Sequence, residues 1–257
     1  SAGVYAFTGS SGWTITNNRI YQTNTLSLNV SGNPYPANTY SAIVIKAGNG
    51  YTITGNYCGF ANAAGTGFTV ITNTVSNYAG SVRVILINTI AGAASTVSNN
   101  VIGGFDLTSS RSSGTAGTGI FYGIYVENGS TTVSNNVIGA VSGTNSIVIK
   151  STNNSVFTAF APAFGIYLAG NIGAETITGN TLGGISFLFP LPNPTNGDRV
   201  GFAGIYNSSS GGLISITGNT IGNSTANNIT SVHRFGNVVG IHNTVSLFAV
   251  NISNNTI

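Results

Sequence analysis

Residues 133–139 read VSNNVIG, and this heptapeptide returns in edited form along the whole 257-residue chain. Its copies stand at residues 15–20, 53–59, 97–103, 133–139, 177–183, 216–222 and 252–257. One residue never changes, the asparagine at positions Asn18, Asn56, Asn100, Asn136, Asn180, Asn219 and Asn255. Successive copies of this asparagine are 38, 44, 36, 44, 39 and 36 residues apart. A repeat of constant pattern and variable length indicates a solenoid with insertions.

A second apolar stretch precedes each heptapeptide. It lies at residues 4–7, 43–46, 84–87, 124–127, 166–169, 205–208 and 241–244, and it always begins with Val or Ile. Alternation places this first residue and the one two positions later on the same face of a strand, which is the predicted core. A third segment of variable length follows each heptapeptide and often has its own alternating run, as at residues 68–70 and 146–149.

These patterns predict an all-β fold, a right-handed parallel β-helix of about seven coils of 36–44 residues. Each coil is expected to contribute three strands. The repeat runs from end to end without a linker, so residues 1–257 are predicted to form a single domain.

Composition narrows the possible functions. The chain is 41% hydrophobic and only 4% charged, which favours a folded protein over a disordered one. Its few basic residues are scattered, so nucleic acid is not an expected partner. No apolar run reaches the roughly 18 residues that span a bilayer. The single cysteine, Cys58, takes the place of Ile102 and Ile138 in other copies, and a buried, unreactive thiol is favoured over a nucleophile.

The repeat Ile-Ser/Thr-Asn/Gly-Asn-x-Ile-Gly, with its Gly-Ile-Tyr-type strand, resembles the parallel β-helix repeats of the pectate-lyase-like superfamily and of large bacterial surface proteins built on the same coil. The resemblance covers essentially the entire chain. It implies that the seven asparagines point inward at a tight turn and stack into a ladder of hydrogen-bonded amides. A buried amide must be hydrogen-bonded, and identical neighbours can satisfy its donors and acceptors in series.

Enzymes of that fold need a cationic base with acidic metal ligands, or a pair of carboxylates at a fixed separation. The four acidic residues here lie in different coils and at different positions within them: Asp106, Glu127, Glu175 and Asp198. Glu127 shares a column with Lys46, two coils away, and both are expected to be exposed charges.

Three further groups of polar residues are candidate sites. Asp198 and Arg199 could form a binding lip, although a solvated turn is favoured. His233, Arg234 and His242 have no partner in the sequence that would make a triad or a metal site. We therefore expect no enzymatic activity, no metal and no cofactor.

Hydroxyl residues flank the inward residue of each heptapeptide strand. They are Thr14, Thr16, Thr52, Thr54, Thr96, Ser98, Thr132, Ser134, Thr176, Thr178, Ser215 and Thr217, continued by Asn251 and Ser253. The pattern predicts a flat array with spacings of about 6.6 Å along the strand and 4.8 Å between coils. Such Thr-x-Thr arrays resemble the ice-binding faces of β-solenoid antifreeze proteins. The alternative is that Thr is simply a favoured outward strand residue.

An outward, largely aromatic column is predicted on the other strand of each coil. Its members are Tyr5, Val44, Ile85, Tyr125, Tyr167, Tyr206 and His242. A bare apolar column of this size would be a binding surface for sugars or a protein partner. We expect instead that variable segments, such as residues 157–160, fold back over it.

The function expected from these features is that of a non-enzymatic, extracellular or cell-surface structural or adhesive β-helix. The alternatives are an ice-binding protein and a glycan-binding or degenerate polysaccharide-active β-helix. Neither terminus carries a recognisable cap, so the predicted partners are copies of the same chain stacked head to tail, or further repeats of a longer protein.

Overall fold

A computed structural model of the chain describes residues 2–28, 39–74, 80–110, 119–144, 146–151, 163–170, 172–188, 199–231, 236–245 and 249–257. These residues contain strands, turns and no helix. The strands form four parallel sheets, in which each strand pairs with the equivalent strand of the coils before and after it. The predicted all-β parallel solenoid is confirmed.

Sheets 1 and 2 have seven strands each. Sheet 1 comprises β1 (Ala2–Ala6), β5 (Thr39–Ile45), β9 (Ser81–Asn88), β13 (Phe121–Asn128), β17 (Ala163–Leu168), β21 (Arg199–Asn207) and β25 (Gly236–Asn243). Sheet 2 comprises β2 (Thr14–Thr16), β6 (Thr52–Thr54), β10 (Ser95–Ser98), β14 (Thr131–Ser134), β18 (Glu175–Thr178), β22 (Ile214–Thr217) and β26 (Val250–Ser253).

Sheets 3 and 4 have six strands each among the described residues. Sheet 3 comprises β3 (Arg19–Ile20), β7 (Tyr57–Gly59), β11 (Val101–Gly103), β15 (Val137–Gly139), β19 (Thr181–Gly183) and β23 (Thr220–Ile221). Sheet 4 comprises β4 (Leu26–Ser27), β8 (Thr69–Asn73), β12 (Phe105–Ser109), β16 (Ile147–Ser151), β20 (Ile185–Leu188) and β24 (Ile229–Ser231).

Two details of the prediction were wrong. A coil has four strands rather than three, because the chain turns at the repeated asparagine and divides each heptapeptide between sheets 2 and 3. The count of seven coils holds for sheets 1 and 2 but not for sheets 3 and 4, so the complete turns are fewer than predicted.

The core consists of inward aliphatic columns. In sheet 1, Ile43 pairs with Ile85 and Ile85 pairs with Ile124, and all three are fully buried. Ile85 therefore belongs to the core, and its assignment to the outward aromatic column was wrong by one residue. Leu86 occupies the outward position, between Val44 and Tyr125. In sequence, the run of four apolar residues in β9 hides this alternation.

Glycines let sheet 1 lie close to sheet 3. A Cβ added to Gly123 would stand 2.9 Å from the Ile138 side chain, and one added to Gly165 would stand 2.1 Å from Leu182. Ile221 lies in the same way against Gly204. The glycine of the Gly-Ile-Tyr strand thus makes room for the aliphatic residue two positions after the ladder asparagine.

Candidate functional site

The repeated asparagines form a fully hydrogen-bonded ladder. Asn136 Nδ2 donates to Asn180 Oδ1 at 2.9 Å and to the Val97 carbonyl at 2.9 Å. Asn136 Oδ1 accepts from Asn100 Nδ2 at 2.9 Å and from the Asn100 backbone N–H at 3.0 Å. Each amide therefore joins its own turn to the turns of both neighbouring coils.

The same link recurs along the solenoid. Amide-to-amide distances are 2.9 Å for the pairs 18–56, 56–100, 100–136, 136–180, 180–219 and 219–255. The five interior asparagines are buried, whereas Asn18 is exposed and Asn255 is half-buried. The predicted ladder is confirmed. All amides point the same way, so the ladder has a donor end at Asn255 and an acceptor end at Asn18.

A second column at this turn was not predicted. The residue before each ladder asparagine has a positive φ, between 55° and 68°, in all seven coils. The residues are Asn17, Gly55, Asn99, Asn135, Gly179, Gly218 and Asn254. Left-handed backbone favours Gly and Asn, which explains why this position of the repeat holds only those two residues. That restriction was the signal in the sequence that would have revealed the turn.

The hydroxyl residues occupy two outward columns of sheet 2. In the first, Thr14, Thr52, Thr96, Thr132, Thr176, Ser215 and Asn251 are in register. In the second, Thr16, Thr54, Ser98, Ser134, Thr178, Thr217 and Ser253 are in register. None of these residues is buried, and the residues between the two columns, such as Ile53 and Val97, point into the core.

Contacts within this face are few and polar. Ser98 Oγ donates to Thr54 Oγ1 at 3.1 Å, and Thr217 Oγ1 donates to Thr178 Oγ1 at 3.4 Å. Neither column contains a charged side chain. The result is a regular surface of hydroxyl and methyl groups over the first six coils, with Asn251 in place of a hydroxyl residue in the seventh.

The outward face of sheet 1 carries an apolar outer layer rather than an open surface. Its rings contact one another along the solenoid, with centroids 5.0 Å apart for Tyr125 and Tyr167, 5.4 Å for Tyr167 and Tyr206, and 4.8 Å for Tyr206 and His242. Tyr125 and Tyr167 are only 5% and 4% exposed, whereas Tyr5 is 54% exposed. Most of the column is therefore closed to a ligand. The segment expected to cover it, residues 157–160, lies outside the described residues.

A second column completes this outer layer. Arg83 pairs with Tyr122, and Tyr122 pairs with Phe164, and all three side chains are buried. The Arg83 guanidinium lies 4.3 Å from the ring centroid of Tyr125, a cation–π contact. Burial raises the pKa of Tyr125 far above its usual value, with Arg83 offsetting part of the effect. The layer thus keeps its phenols neutral and buries one cation against aromatic faces.

Lys46 and Glu127 are not separate exposed charges, and that expectation was wrong. Lys46 Nζ lies 2.6 Å from Glu127 Oε2, and each side chain is 29% exposed. Asn88 Nδ2 donates to the same oxygen at 2.9 Å. The backbones stand two coils apart, as predicted, but the lysine and glutamate side chains together are long enough to meet above the intervening Asn88.

Two other acidic residues have different surroundings. Asp106 pairs with Lys150 of the next coil, with nitrogen and oxygen 2.7 Å apart, on the outer face of sheet 4. Glu175 is 1% exposed and points inward beside Gly170. Neither of its carboxylate oxygens has a hydrogen bond of normal geometry, because the neighbouring Ser209 hydroxyl donates to the Gly170 carbonyl at 2.7 Å. Burial raises the pKa of Glu175 to about 7, and Ser209 offsets part of that rise.

The remaining candidate site residues are not brought together into one site among the described residues. Cys58 is completely buried, and burial raises the pKa of its thiol to about 12, which disfavours the reactive thiolate. His242 lies against Tyr206. Asp198, His233, Arg234 and the side chain of Arg199 lie outside the described part of the chain. Within the described part, no three His, Cys, Asp or Glu residues come close enough together to hold a metal ion.

Within the same residues, no helix is long and apolar enough to cross a membrane. Comparison of the chain with protein-family models, with characterised proteins and with solved structures finds no match.

Proposed function

We propose that this chain is a non-enzymatic structural or adhesive β-helix of the cell surface or extracellular space, of the kind that the pectate-lyase-like repeat resemblance implies. It works as a stiff rod that is lengthened by adding coils. The observation that carries the proposal is the polarity of the asparagine ladder, whose two ends are complementary.

Ladder geometry supports extension. At one end Asn255 Oδ1 accepts from Asn219 Nδ2, and Asn255 Nδ2 donates to the carbonyls of Ile216 and Ser253 and to no further amide among the described residues. At the other end Asn18 Oδ1 faces outward, while Asn18 Nδ2 donates to Asn56 Oδ1. A coil placed beyond either end repeats the hydrogen bonds of the interior. The bonds are the same whether that coil belongs to a longer chain or to a second copy.

The apolar columns extend in the same direction. Ile252 is 45% exposed and Ile257 is 74% exposed, whereas their equivalents in interior coils are buried. A further coil would bury both side chains, at about 25 cal/mol per Å² of apolar surface removed from water. A coil added beyond this end, from the same chain or from a second copy stacked head to tail, would continue the ladder across the junction.

Electron microscopy and light scattering of the purified 257-residue chain test this proposal. The expected result is rods whose length grows with concentration. Replacing Ile252 and Ile257 by Lys should shorten the rods to single molecules, because it places two charges in the junction. Replacing Thr72 and Thr108, which lie outward on sheet 4, by Lys is the matched control and should leave the rods intact. A monodisperse monomer for the unaltered chain would contradict the proposal.

Ice binding is a second candidate, favoured by the register of the two hydroxyl columns on sheet 2. The columns are uncharged, unburied and uninterrupted over seven coils. Thermal hysteresis of the purified protein measures this activity directly. Replacing Thr54 and Thr178 by Tyr should abolish it without a large change in melting temperature, whereas Tyr at Thr72 and Thr108 should not. Absence of hysteresis in the unaltered protein would remove this candidate.

A further inference from the structure

The Asn88 and Glu127 side chains stand on adjacent strands of sheet 1, Lys46 directly follows the strand before them, and the three meet at one oxygen. Lys46 Nζ lies 2.6 Å from Glu127 Oε2, and Asn88 Nδ2 lies 2.9 Å from the same atom. To reach Glu127, the lysine side chain passes over the coil that carries Asn88. The amine and the amide are therefore held side by side by a shared carboxylate.

The cluster is partly shielded from solvent. The three residues follow Val44, Leu86 and Tyr125, each two positions later on the same outward face, and those three are at most 5% exposed. The cluster thus lies at the border of the buried outer layer. It also brings together two of the chain's eleven charged groups, seven basic and four acidic, around one uncharged amide.

We propose that Lys46 and Asn88 form an intramolecular isopeptide bond, with Glu127 as the proton carrier. Glu127 accepts a proton from the Lys46 ammonium, and the neutral amine attacks Cγ of Asn88. The new C–N bond forms, Glu127 passes the proton to Nδ2, the Cγ–Nδ2 bond breaks and ammonia leaves. The attacking nitrogen then gives its second proton to the Glu127 carboxylate, which releases it to the departing ammonia, so the net products are the amide and ammonium. The reaction needs no oxidant and no cofactor. Holding both groups on one carboxylate oxygen supplies the high effective concentration that such an acyl transfer requires.

The bond would tie the second coil covalently to the third. A solenoid is held together by contacts between neighbouring coils, so a cross-link of this kind resists separation of coils under tension or denaturant. This inference goes beyond the proposed rod function and does not depend on head-to-tail stacking.

Intact-mass spectrometry tests the bond. The unaltered chain, held in mildly alkaline buffer to favour the neutral amine, is expected to lose one ammonia, about 17 Da. Trypsin should then leave the Lys46 peptide bond uncut and release a branched peptide that joins residues 20–83 to residues 84–111. Glu127→Gln should retain the full mass, since it has no carboxylate to carry the proton.

Lys46→Arg is the matched control. Arginine keeps the ion pair with Glu127, so the variant should fold, but its guanidinium does not attack the amide, and the full mass is expected. If Lys46→Arg still loses ammonia, the loss comes from a cyclic imide at an asparagine and the proposal is wrong. If the unaltered chain keeps its full mass, the cluster is an ion pair with a bridging amide and the proposal is also wrong.

Discussion

The asparagine ladder and the apolar outer layer of sheet 1 are both columns of stacked side chains, yet they tolerate different sequences. The ladder holds the same residue in all seven coils. The column of the outer layer holds Tyr5, Val44, Leu86, Tyr125, Tyr167, Tyr206 and His242. A ladder side chain must donate and accept at fixed points, whereas the outer layer only needs apolar area. Hydrogen-bond geometry therefore restricts residue identity more strongly than burial does.

Of the substitutions considered, one at the centre of the asparagine ladder should lower the unfolding free energy most. Asn136→Leu keeps the number of side-chain heavy atoms but removes four buried hydrogen bonds, those to Asn100 Nδ2, the Asn100 N–H, Asn180 Oδ1 and the Val97 carbonyl. We expect a loss of about 5 kcal/mol in unfolding free energy, since each buried hydrogen bond contributes about 0.5–1.5 kcal/mol, a group left without a partner costs more, and the larger methyl groups must also fit. Denaturant unfolding followed by circular dichroism measures the loss.

Asn18→Leu is the control for position in the ladder. Asn18 is exposed and accepts no amide hydrogen bond from a preceding coil, so its replacement should cost less than about 1 kcal/mol. Equal losses for the two variants would show that continuity of the ladder is not what stabilises the central turn.

Truncating a buried ring of the outer layer should lower the unfolding free energy somewhat less than Asn136→Leu does. Tyr167 stacks on Tyr125 and Tyr206, and Tyr167→Ala is expected to lower the unfolding free energy by about 4 kcal/mol, as for other buried aromatic residues. Tyr167→Phe keeps the ring and removes only the hydroxyl, which lies 3.0 Å from Ser208 Oγ, so it should cost about 1 kcal/mol. A Phe variant as unstable as the Ala variant would mean that the hydroxyl, not the apolar area, matters there.

Glu175 is buried like the ladder asparagines, but its carboxylate lacks the hydrogen bonds that neighbouring coils give to each ladder amide. Its pKa of about 7 in the folded chain lies above the usual 4.5, so folding favours the protonated form. The protonated Glu175 side chain therefore adds to the stability of the folded chain. This added stability is fully present below about pH 4.5 and is lost as pH rises through about 7. The unfolding free energy should therefore fall by up to about 3 kcal/mol between acidic and mildly alkaline pH.

Glu175→Gln is the matched control, because an amide of the same shape does not titrate. The variant should lose most of this pH dependence and be the more stable protein at mildly alkaline pH. Identical pH profiles for the two proteins, in thermal or denaturant unfolding, would assign the dependence to other groups.

The smallest effect concerns the left-handed residue before each ladder asparagine. Asn99 has a φ of 55°, and Asn99→Ala should cost about 1 kcal/mol, because a Cβ without a local hydrogen bond is disfavoured in this region. Asn99→Gly should be nearly neutral, since Gly55 and Gly179 hold the same position in other coils. A costly Gly variant would point to the Asn99 side chain rather than to the backbone.

Much of this structure could be predicted because each coil repeats one local pattern. The period, the inward aliphatic residues, the ladder and the two hydroxyl columns are all visible in residues 132–139 and their copies. The four-strand coil was missed because two strands of two to four residues on either side of Asn136 look like one strand with a turn residue inside it. The Asn/Gly alternation at residue 135 is the local signal of that turn.

Contacts between distant residues could not be predicted in this way. The outward place of Leu86 depends on strand register across sheet 1, and the meeting of Lys46 with Glu127 depends on side-chain reach across an intervening coil. The unpartnered state of Glu175 depends on Ser209, which lies 34 positions later and donates elsewhere. The sequence alone determined the coil and its ladder, because these need only short-range periodicity and one hydrogen-bonding residue type. The tertiary structure decided which charges meet and which rings are buried, because both depend on how coils of unequal length stack.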